Sequence, residues 1–549
     1  MTKLTVPILV QSLEQALAAG AQARVQGADL IEWRLDSFAD AGRPERLAQL
    51  QALVERAPLP CIVTCRPGWE GGQYEGEERE RISLLEHAGL AGPAYLDVEL
   101  AAYQASAGIR QKVNLVVDQP GGIRGVAPGG LRGRGTQLIL SSHDFTGRPA
   151  DLAARVEAME NAAACRVSKI VWQAREVGES VEALRLLASR KKPMIALCMG
   201  EAGLLSRVLA KKFDAVLTFA ALATDQGTAA GQPTVAELRG LYRWEALQAD
   251  TRVYGVIGHP VAHSMSPAIH NAGFDATGFN GIYLPLPVAP GYEALARNLA
   301  ALLAWERLDF GGASVTLPHK ENLLRFVREA GSIGRRGEVE PLAQAIGAAN
   351  TLTVRADGSL YASNTDYAAA LDAVCASLEI GREDLAGQRI AVLGAGGAAR
   401  AIVAGLAHYG ATVVVYNRTP GRAQQLAAEF NGRTGQVVPA PLDKLGQSCC
   451  SVYINCTPVG MHPNVDDTPV SDGARPEGWG PGAVVFDTIY NPYETRLLKE
   501  ARAAGCLTIP GAEMFVRQAV GQFEGWTGAQ APREVFRKVV IGRLGYKNL

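Results

Sequence analysis

The chain has 549 residues, which at a soft expectation of about 150 residues per domain suggests about three domains. Its 54 basic and 55 acidic residues leave a formal net charge of −1, so nothing indicates nucleic acid or an anionic membrane as a general partner. Nine cysteines without metal-ligand spacing indicate reduced thiols, with neither disulfides nor a metal site. No transit segment and no run of ~20 apolar residues is present. We expect small-molecule ligands and a cytoplasmic location, and the sequence leaves the oligomeric state open.

Eight short apolar runs alternate with helix-like segments through about residue 245. The runs are VPILV, ADLIEWRLD, PCIVTCR, AYLDVEL, QLILSSHDF, SKIVWQA, PMIALCMG and DAVLTFAA. Eight strand–helix units can close a parallel barrel, so we predict an α/β fold that begins with a (β/α)8 TIM barrel in residues 1–248. Residues 111–136 interrupt this rhythm with a further strand-like run, VNLVV, and a glycine-rich basic loop. They predict either an outer flap without function or a substrate lid.

Polar residues recur at or just beyond the ends of these predicted strands. They are Glu32, Arg34, Arg66, Glu70, His143, Arg207 and Gln232. Barrel strands are buried on both faces and have no structural need for such groups. Because the strand ends of a barrel converge on one mouth, the sequence predicts a site there.

Four polar residues suggest a reaction at this mouth. Lys169 lies within an apolar run, where burial disfavours the ammonium form and would prepare the amine to attack a ketone. The alternative is a lysine at a strand start that reaches solvent. His143 has the chemistry for proton transfer and could be held by Glu70, and Arg207 could bind a carboxylate through paired hydrogen bonds. Together they suit an elimination next to a ketone in an anionic substrate.

The first half resembles type I 3-dehydroquinate dehydratase, the barrel enzyme of the shikimate pathway. The matching segments are EWRLD, CRPGWEGG, SSHDF, the lysine of SKI, MGEAGLLSR and TAAGQ. The resemblance implies that Lys169 forms an imine, a Schiff base, with the substrate ketone, that His143 removes and returns protons, and that Glu70 orients His143. It also implies substrate contacts from Glu32, Arg34, Arg66, Arg207, Thr228 and Gln232. The family's closing loop commonly reads SAPGQ, so Thr228 and Ala230 depart from it, with the hydroxyl retained.

The second half opens with two hydroxyls on a proline-rich turn, Ser264 and Ser266 in GHPVAHSMSP. They could bind a carboxylate or be satisfied within an ordinary turn. Further on, Lys320 follows a Pro-His turn and Asp366 stands at the start of a helical run. A lysine held by an aspartate can stabilise the alkoxide formed when a hydride reduces a ketone, and can pass it a proton. The alternatives are a solvated charge at a helix start and an N-cap carboxylate.

Around Gly394 the run RIAVLGAGGAARA passes from an apolar strand through a glycine-rich turn into an alanine-rich helix, as a dinucleotide site begins. About 20 residues further on, an NAD enzyme usually places an acid. Here the sequence has Asn417, Arg418 and Thr419. A carboxylate would repel a ribose phosphate and a guanidinium can bind one, so these residues favour NADP over NAD.

The second half resembles shikimate dehydrogenase from about residue 253 to residue 526. The motifs GHPVAHSMSP, SVTLPHK, GAANT, NTD, GAGGAAR, NRT, NCTPVGM, DTIYNPYET and PGAEMFVRQA follow the family's order. The resemblance implies a two-lobed enzyme. Its shikimate-binding lobe would span 249–365 and be completed by 514–549, and its Rossmann NADP-binding lobe would span 366–513.

The same resemblance implies roles for individual residues, with Lys320 and Asp366 as the catalytic pair. Substrate contacts are implied for Ser264, Ser266, Thr316, Asn350, Tyr490 and Gln518. Cofactor contacts are implied for Gly394, Ala395, Gly396, Gly397, Ala398, Arg400, Asn417, Arg418, Thr419, Thr457 and Met514. Two positions depart from the family pattern: Ser314 replaces an asparagine of many single-domain members, and Ala369 replaces the glycine of NTDxxG.

Together the resemblances imply one chain that dehydrates 3-dehydroquinate to 3-dehydroshikimate and then reduces that product to shikimate with NADPH. One alternative is a second half that reduces dehydroquinate directly to quinate. Another is a non-catalytic regulator built from the same domains, as in quinate-pathway repressors. The regulator hypothesis predicts lost reacting residues, whereas Lys169, His143, Lys320 and Asp366 are all present.

Overall fold

The computed structural model describes residues 1–38, 44–117, 135–224, 227–432, 434–470 and 475–546. The chain divides into two compact units. The first contains Met1–Arg252 together with Leu284–Val288 and Arg297–Asp309, and the second contains the rest. Among the described residues, no helix has both the length and the apolar character that crossing a membrane requires.

The first unit contains an eight-stranded parallel sheet that is almost closed into a barrel. Its strands are β1 (Lys3–Leu9), β2 (Leu30–Arg34), β3 (Cys61–Thr64), β4 (Tyr95–Glu99), β5 (Gln137–Asp144), β6 (Cys165–Gln173), β7 (Met194–Met199) and β8 (Leu217–Phe219). They are hydrogen-bonded in the order β7-β6-β5-β4-β3-β2-β1-β8. A hydrogen bond from the Val216 N–H to the Met194 carbonyl, at 3.0 Å, joins the two ends of the sheet. Each strand overlaps its predicted apolar run, so the predicted barrel is confirmed.

Helices connect these strands, and the first of them begins and ends at local signals in the sequence. They are α1 (Leu13–Gln26), α2 (Pro44–Glu55), α3 (Glu78–Leu90), α4 (Leu100–Ala105), α5 (Ala107–Val116), α6 (Leu152–Asn161), α7 (Val177–Ser189) and α8 (Leu204–Val208). In α1, the Ser12 side chain accepts a hydrogen bond from the Gln15 N–H, and Gly27 ends the helix with a φ of 95°.

The interpretation of VNLVV as a strand was wrong, because its first four residues form the end of α5. Its β-branched residues favour a strand locally. However, Val113 and Val116 are three residues apart and both are buried, and Val116 packs closely against Gly89 of α3. Packing against α3 therefore decides for a helix. The basic loop of the predicted insertion lies largely outside the described residues, so the choice between flap and lid stays a prediction.

The inner face of the barrel changes from apolar to polar along several strands. On three strands an apolar residue is followed, two positions nearer the carboxyl end and on the same face, by a polar one. The pairs are Ile62 and Thr64, Ile139 and Ser141, and Val167 and Lys169. All six residues are buried. Fully burying an aliphatic side chain contributes about 1.5–3 kcal/mol, so the apolar layer stabilises the barrel that supports the polar groups.

Two six-stranded sheets follow the barrel. The first contains β9 (Arg252–Gly258), β10 (Gly281–Pro287), β11 (Phe310–Val315), β12 (Gly337–Val339), β13 (Thr351–Val354) and β14 (Leu360–Ser363), in the order β10-β9-β11-β13-β14-β12. The second contains β15 (Arg389–Leu393), β16 (Thr412–Asn417), β17 (Gln436–Pro441), β18 (Val452–Asn455), β19 (Val484–Asp487) and β20 (Leu507–Ile509), in the order β17-β16-β15-β18-β19-β20. All pairs in the second sheet are parallel.

The second sheet has the predicted Rossmann arrangement. The strand order reverses at β15, which lies between β16 and β18, and ligands of such sheets bind at the carboxyl ends near this switch point. The helices after the barrel are α9 (Ser266–Thr277), α10 (Tyr292–Leu303), α11 (Lys320–Arg328), α12 (Pro341–Ile346), α13 (Thr365–Leu378), α14 (Gly397–His408), α15 (Pro420–Phe430), α16 (Arg496–Ala503), α17 (Gly511–Thr527) and α18 (Arg533–Arg543).

Candidate active sites

Lys169 lies in the middle of β6 and faces two carboxylates inside the barrel. Its Nζ donates to Asp97 Oδ2 at 2.8 Å and lies 3.7 Å from Glu32 Oε1. It also lies 4.7 Å from the centre of the Phe219 ring. The side chain is only 4% exposed, so the alternative of a lysine reaching solvent is wrong. The prediction considered burial alone, whereas the structure places the carboxylates of Asp97 and Glu32 beside the amine.

Asp97 and Glu99 were not predicted, and both are fully buried on β4. Arg66 Nη2 donates to Asp97 Oδ1 at 2.8 Å, and Arg66 Nη1 donates to Glu99 Oε1 and to Ser141 Oγ, each at 2.7 Å. Although burial opposes it, the positive charges of Arg66 and Lys169 hold the pKa of Asp97 well below its usual range. Arg66 was expected to contact substrate, and the structure shows its guanidinium engaged with groups of the protein.

His143 near the end of β5 is held by Glu70, which lies on the short turn Gly68–Glu70 after β3. Glu70 Oε1 accepts a hydrogen bond from the His143 backbone N–H at 3.0 Å and lies 2.8 Å from Nδ1. Burial raises the pKa of Glu70 to about 8, with the Arg66 charge opposing it. Burial, together with the charges of Arg66 and Lys169, lowers the pKa of His143 well below its usual value. The imidazole is therefore neutral near pH 7 and can accept a proton through Nε2.

Arg207 is a buried guanidinium without a carboxylate partner in the described part of the chain. It lies on α8, beyond β7, and is 1% exposed. Its Nε has no hydrogen-bond partner within the described structure. Burial lowers the pKa of Arg207 to about 10. Since a buried charge is stabilised by a counter-charge, this residue is suited to bind an anionic ligand.

The predicted residues of the first half come together around one cavity. Its lining includes Glu32, Arg34, Arg66, Glu70, His143, Lys169, Arg207, Thr228 and Gln232. Arg34 is paired with Asp36 through hydrogen bonds of 3.1 and 2.5 Å. The Thr228 N–H and hydroxyl donate to Gln232 Oε1 at 3.1 and 3.3 Å, whereas Gln232 Nε2 is buried without a partner among the described residues. The Gln232 amide is thus available to a ligand.

Lys320 and Asp366 form a direct pair. Lys320 begins α11, Asp366 is the second residue of α13, and Lys320 Nζ donates to Asp366 Oδ2 at 2.5 Å. The alternative of Asp366 as an N-cap was wrong, because Asn364 caps α13 by accepting hydrogen bonds from the Asp366 and Tyr367 N–H groups at 3.0 and 3.5 Å. The Asp366 carboxylate is therefore free to hold Lys320.

Two cavities in the second unit share this pair. The first, of about 410 Å³, is lined by the six predicted substrate residues Ser264, Ser266, Thr316, Asn350, Tyr490 and Gln518. The second, of about 440 Å³, is lined by the predicted cofactor residues Gly397, Ala398, Arg400 and Met514. Lys320 and Asp366 line both cavities. A proton donor in this position can act on a substrate in one cavity while a cofactor occupies the other.

Phe515 was not predicted, and it lines both cavities. Its ring is stacked on that of Tyr490, with 5.3 Å between ring centres. Asn350 is fixed by Thr365, whose N–H donates to Asn350 Oδ1 at 2.8 Å and whose hydroxyl accepts from Asn350 Nδ2 at 3.0 Å. These contacts fix the cavity wall around Lys320.

The turn after β15 fits a dinucleotide phosphate. Gly394 has a φ of +106°, which favours glycine. A Cβ added at Gly396 or Gly397 would meet nothing within 4 Å, so space is open beside the backbone there. The first N–H groups of α14 have no side-chain cap. A helix N-terminus of this kind stabilises an anion.

The two arginines near this turn differ in their hydrogen-bond and ion-pair partners. Arg418 follows β16, is exposed and has no ion-pair partner in the described part of the chain, so it fits a ribose phosphate. Arg400 donates to the Ile346 carbonyl at 2.6 Å and pairs with Glu429 at 2.7 Å, so its guanidinium is already engaged. Asn417 donates to the Thr419 carbonyl at 2.8 Å.

The remaining predicted cofactor residues lie at the same edge of the sheet. The Thr457 N–H and hydroxyl donate to Asn455 Oδ1 at 3.0 and 2.7 Å, which fixes the turn after β18. Ala395 lies in the turn between β15 and α14. Because β15, β16 and β18 are neighbouring parallel strands, their carboxyl ends form one edge. The residues present therefore fit NADP.

Family models match four parts of the chain, in both halves. Type I 3-dehydroquinase matches residues 4–249, and the shikimate dehydrogenase substrate binding domain matches 256–352. Shikimate / quinate 5-dehydrogenase matches 376–456, and the shikimate 5'-dehydrogenase C-terminal domain matches 511–541.

Individual proteins are similar to one half of the chain or to both halves. The shikimate dehydrogenase (NADP(+)) of Methanosarcina acetivorans is 41% identical, over 53% of this chain and 99% of its own length. A solved shikimate dehydrogenase from Thermus thermophilus, in complex with NADP(H) and shikimate, is 34% identical and covers 53% of this chain and 99% of its own, with a TM-score of 0.44. The chloroplastic bifunctional 3-dehydroquinate dehydratase/shikimate dehydrogenase of Arabidopsis thaliana is 37% identical, over 97% of this chain and 83% of its own length. The chain belongs to the family of bifunctional 3-dehydroquinate dehydratase/shikimate dehydrogenases.

Proposed function

We propose that the chain catalyses two successive steps of the shikimate pathway, from 3-dehydroquinate through 3-dehydroshikimate to shikimate, with NADPH as reductant. The observation that carries this proposal is that each half brings a full set of reacting groups to one place. The barrel joins Lys169 with His143, and the second half places Lys320 and Asp366 where two cavities meet. The proposed domains are 1–248, 249–365 completed by 514–549, and 366–513, in a cytoplasmic protein.

In the barrel, the uncharged amine of Lys169 attacks the substrate ketone, and the adduct takes up one proton from solvent as it loses water, which leaves a protonated imine. Asp97 and Glu32 lie beside this nitrogen and stabilise the positive charge of the imine. The imine acidifies the neighbouring carbon, and His143 Nε2 removes its proton while Glu70 holds Nδ1. His143 then protonates the departing hydroxyl, which leaves as water. Hydrolysis of the imine releases 3-dehydroshikimate and restores the lysine.

Arg207 supplies the anion site that this substrate requires. Its guanidinium, whose Nε has no hydrogen-bond partner among the described residues, can form two charge-assisted hydrogen bonds with the substrate carboxylate. Gln232 Nε2, also buried without a partner in the described structure, can donate to a substrate hydroxyl. Together these groups orient the ring against Lys169.

In the second half, NADPH supplies the hydride when it is bound. The Lys320 ammonium lies against Asp366 and can donate a proton to the carbonyl oxygen as that oxygen becomes an alkoxide. Asp366 holds Lys320 in place through this hydrogen bond. Ser264 and Ser266 offer hydroxyls to the substrate carboxylate from the wall of the substrate cavity. Support for shikimate as the substrate comes from the similarity to shikimate dehydrogenases.

Trapping the imine tests the barrel chemistry. Sodium borohydride reduces an imine to a stable secondary amine, so protein treated with 3-dehydroquinate and borohydride should carry one adduct on Lys169, identified by peptide mass spectrometry. Dehydratase activity should be lost and dehydrogenase activity retained. Lys169→Met should form no adduct, and the control Lys320→Met should form it normally. No adduct in the unmodified enzyme, or an adduct on another lysine, would contradict the proposal.

A further inference from the structure

A buried chain of hydrogen bonds runs beneath the substrate cavity of the second half. The Tyr283 hydroxyl lies 2.6 Å from Ser314 Oγ, which lies 2.8 Å from Gln522 Oε1. Gln522 Nε2 continues the chain to Thr351 Oγ1 at 3.0 Å. Thr351 Oγ1 in turn donates to Asn350 Oδ1 at 2.8 Å. The chain thus connects β10, β11 and α17, and three of its residues line the cavity: Ser314, Asn350 and Gln522.

Two backbone groups fix the direction of every proton in this chain. The Asn350 carbonyl can only accept, and it lies 3.4 Å from Gln522 Nε2. The Thr365 N–H can only donate, and it lies 2.8 Å from Asn350 Oδ1. Gln522 therefore presents Oε1 to Ser314, and Ser314 must donate its proton there. It follows that the Tyr283 hydroxyl donates to Ser314.

This direction determines what Ser314 can offer a ligand. A serine hydroxyl has one proton and two lone pairs. Ser314 donates its proton to Gln522 and accepts a hydrogen bond from Tyr283 with one lone pair. The second lone pair is therefore available to a ligand in the cavity. Ser314 is 7% exposed and lines that cavity. It can accept a hydrogen bond from a ligand hydroxyl, and it cannot donate one.

Tyr283 is built to remain a donor. It is fully buried and its ring is stacked on His270, with 4.5 Å between ring centres. Burial raises the pKa of the Tyr283 hydroxyl, so it keeps its proton over the working pH range. Its contact with Ser314 is consequently a permanent donation.

We propose that Tyr283 is a positioning residue that, together with Gln522, holds Ser314 as an acceptor for a ring hydroxyl of the substrate. This inference rests on the proposed dehydrogenase function. Tyr283 acts through Ser314 and stays outside the reacting atoms. Removing its hydroxyl removes one of the two hydrogen bonds that hold Ser314 Oγ, so the recognition of the substrate hydroxyl weakens while the proton transfer from Lys320 is unaffected.

Kinetics of shikimate oxidation by Tyr283→Phe test this inference. Loss of one neutral hydrogen bond predicts a KM for shikimate about three- to tenfold higher. The kcat should stay within about twofold and the KM for NADP+ should not change, because neither depends on Ser314. A role in stability alone would lower the thermal midpoint and leave the KM for shikimate unchanged.

A matched control is Tyr254→Phe, which removes a hydroxyl from the neighbouring strand β9. The Tyr254 hydroxyl is buried and donates to the Trp526 carbonyl at 3.4 Å, away from Ser314. This variant should keep the wild-type KM for shikimate. Ser314→Ala alone should also raise the KM for shikimate. This variant tests whether Ser314 accepts a hydrogen bond from the substrate, even if Tyr283→Phe folds poorly.

The double variant decides how Tyr283 acts. If Tyr283 acts through Ser314, combining Tyr283→Phe with Ser314→Ala should raise the KM no further than Ser314→Ala alone. An additive rise would assign the effect to Ser266, which also interacts with Tyr283, and would overturn the inference. A wild-type KM in Tyr283→Phe or in Ser314→Ala would also overturn it. Failure of the wild-type enzyme to oxidise shikimate would instead overturn the proposed function.

Discussion

Replacing Arg207 by methionine should separate substrate binding from stability. Burial lowers the pKa of Arg207 to about 10, well below the ordinary value of arginine, and at 1.36 kcal/mol per pKa unit this disfavours the charged folded form by about 3 kcal/mol. Methionine removes that cost and keeps much of the volume. The substrate-free variant should therefore have a thermal midpoint equal to or higher than that of the wild type. If Arg207 instead stabilised the fold, its replacement by methionine would lower the thermal midpoint.

The same substitution should weaken dehydroquinate binding strongly. A hydrogen bond to a charged group contributes about 1.5–3 kcal/mol, which corresponds to a rise in the KM for 3-dehydroquinate of about 10- to 100-fold. The assay is the absorbance of the conjugated ketone product at varied substrate concentration, with calorimetry on the same samples.

Arg81→Met is the matched control for this prediction. Arg81 is a fully buried arginine of the same barrel, but it pairs with Glu78 at 2.6 Å and with Glu99 at 2.7 Å. Its removal leaves the buried Glu99 carboxylate poorly compensated and should destabilise the barrel by about 3 kcal/mol. If Arg207→Met lowered the thermal midpoint as Arg81→Met does and left the KM unchanged, the assignment of Arg207 to the substrate carboxylate would be refuted.

Three further variants test separate parts of the account. Because burial raises the pKa of Glu70 from 4.5 to about 8, its contribution to stability is present below about pH 4.5 and is lost as the pH rises through 8. Glu70→Gln should remove this loss in calorimetry between pH 5 and 8, and an unchanged slope would contradict the assignment. Lys320→Met should lower kcat for shikimate oxidation by about 10²- to 10⁴-fold with dehydratase activity intact, so a loss below tenfold would argue against proton donation. Asn364→Ala should reduce the free energy of unfolding by about 1 kcal/mol and lower kcat, since Asn364 caps α13 beside Asp366; denaturation with urea measures the first effect, and a wild-type curve would exclude it.

Several elements could be predicted because their signals are local. The apolar run around Lys169 forms β6, and the glycine-rich turn at Gly394 joins β15 to α14. The helix α5 could not be predicted, because Val113 and Val116 favour a strand until their packing against α3 is known. In that segment tertiary packing overrides local propensity.

The partners of the predicted site residues were harder to predict than the residues themselves. Asp97 and Glu99 alternate along AYLDVEL, and two acids on one face of a buried strand were a signal that could have been used. Their pairing with Lys169 and Arg66 depends on strand order, which periodicity does not give. Likewise, only the backbone around α13 shows that Asn364, two residues before Asp366, is the cap.

The most direct test of the central claim is to supply the purified protein with 3-dehydroquinate and NADPH, follow cofactor oxidation and identify the acids formed by mass spectrometry. The account predicts shikimate as the product, its loss in Lys169→Ala, and its recovery when that variant receives 3-dehydroshikimate. Formation of quinate that survives Lys169→Ala would contradict it and would make the second half a quinate dehydrogenase.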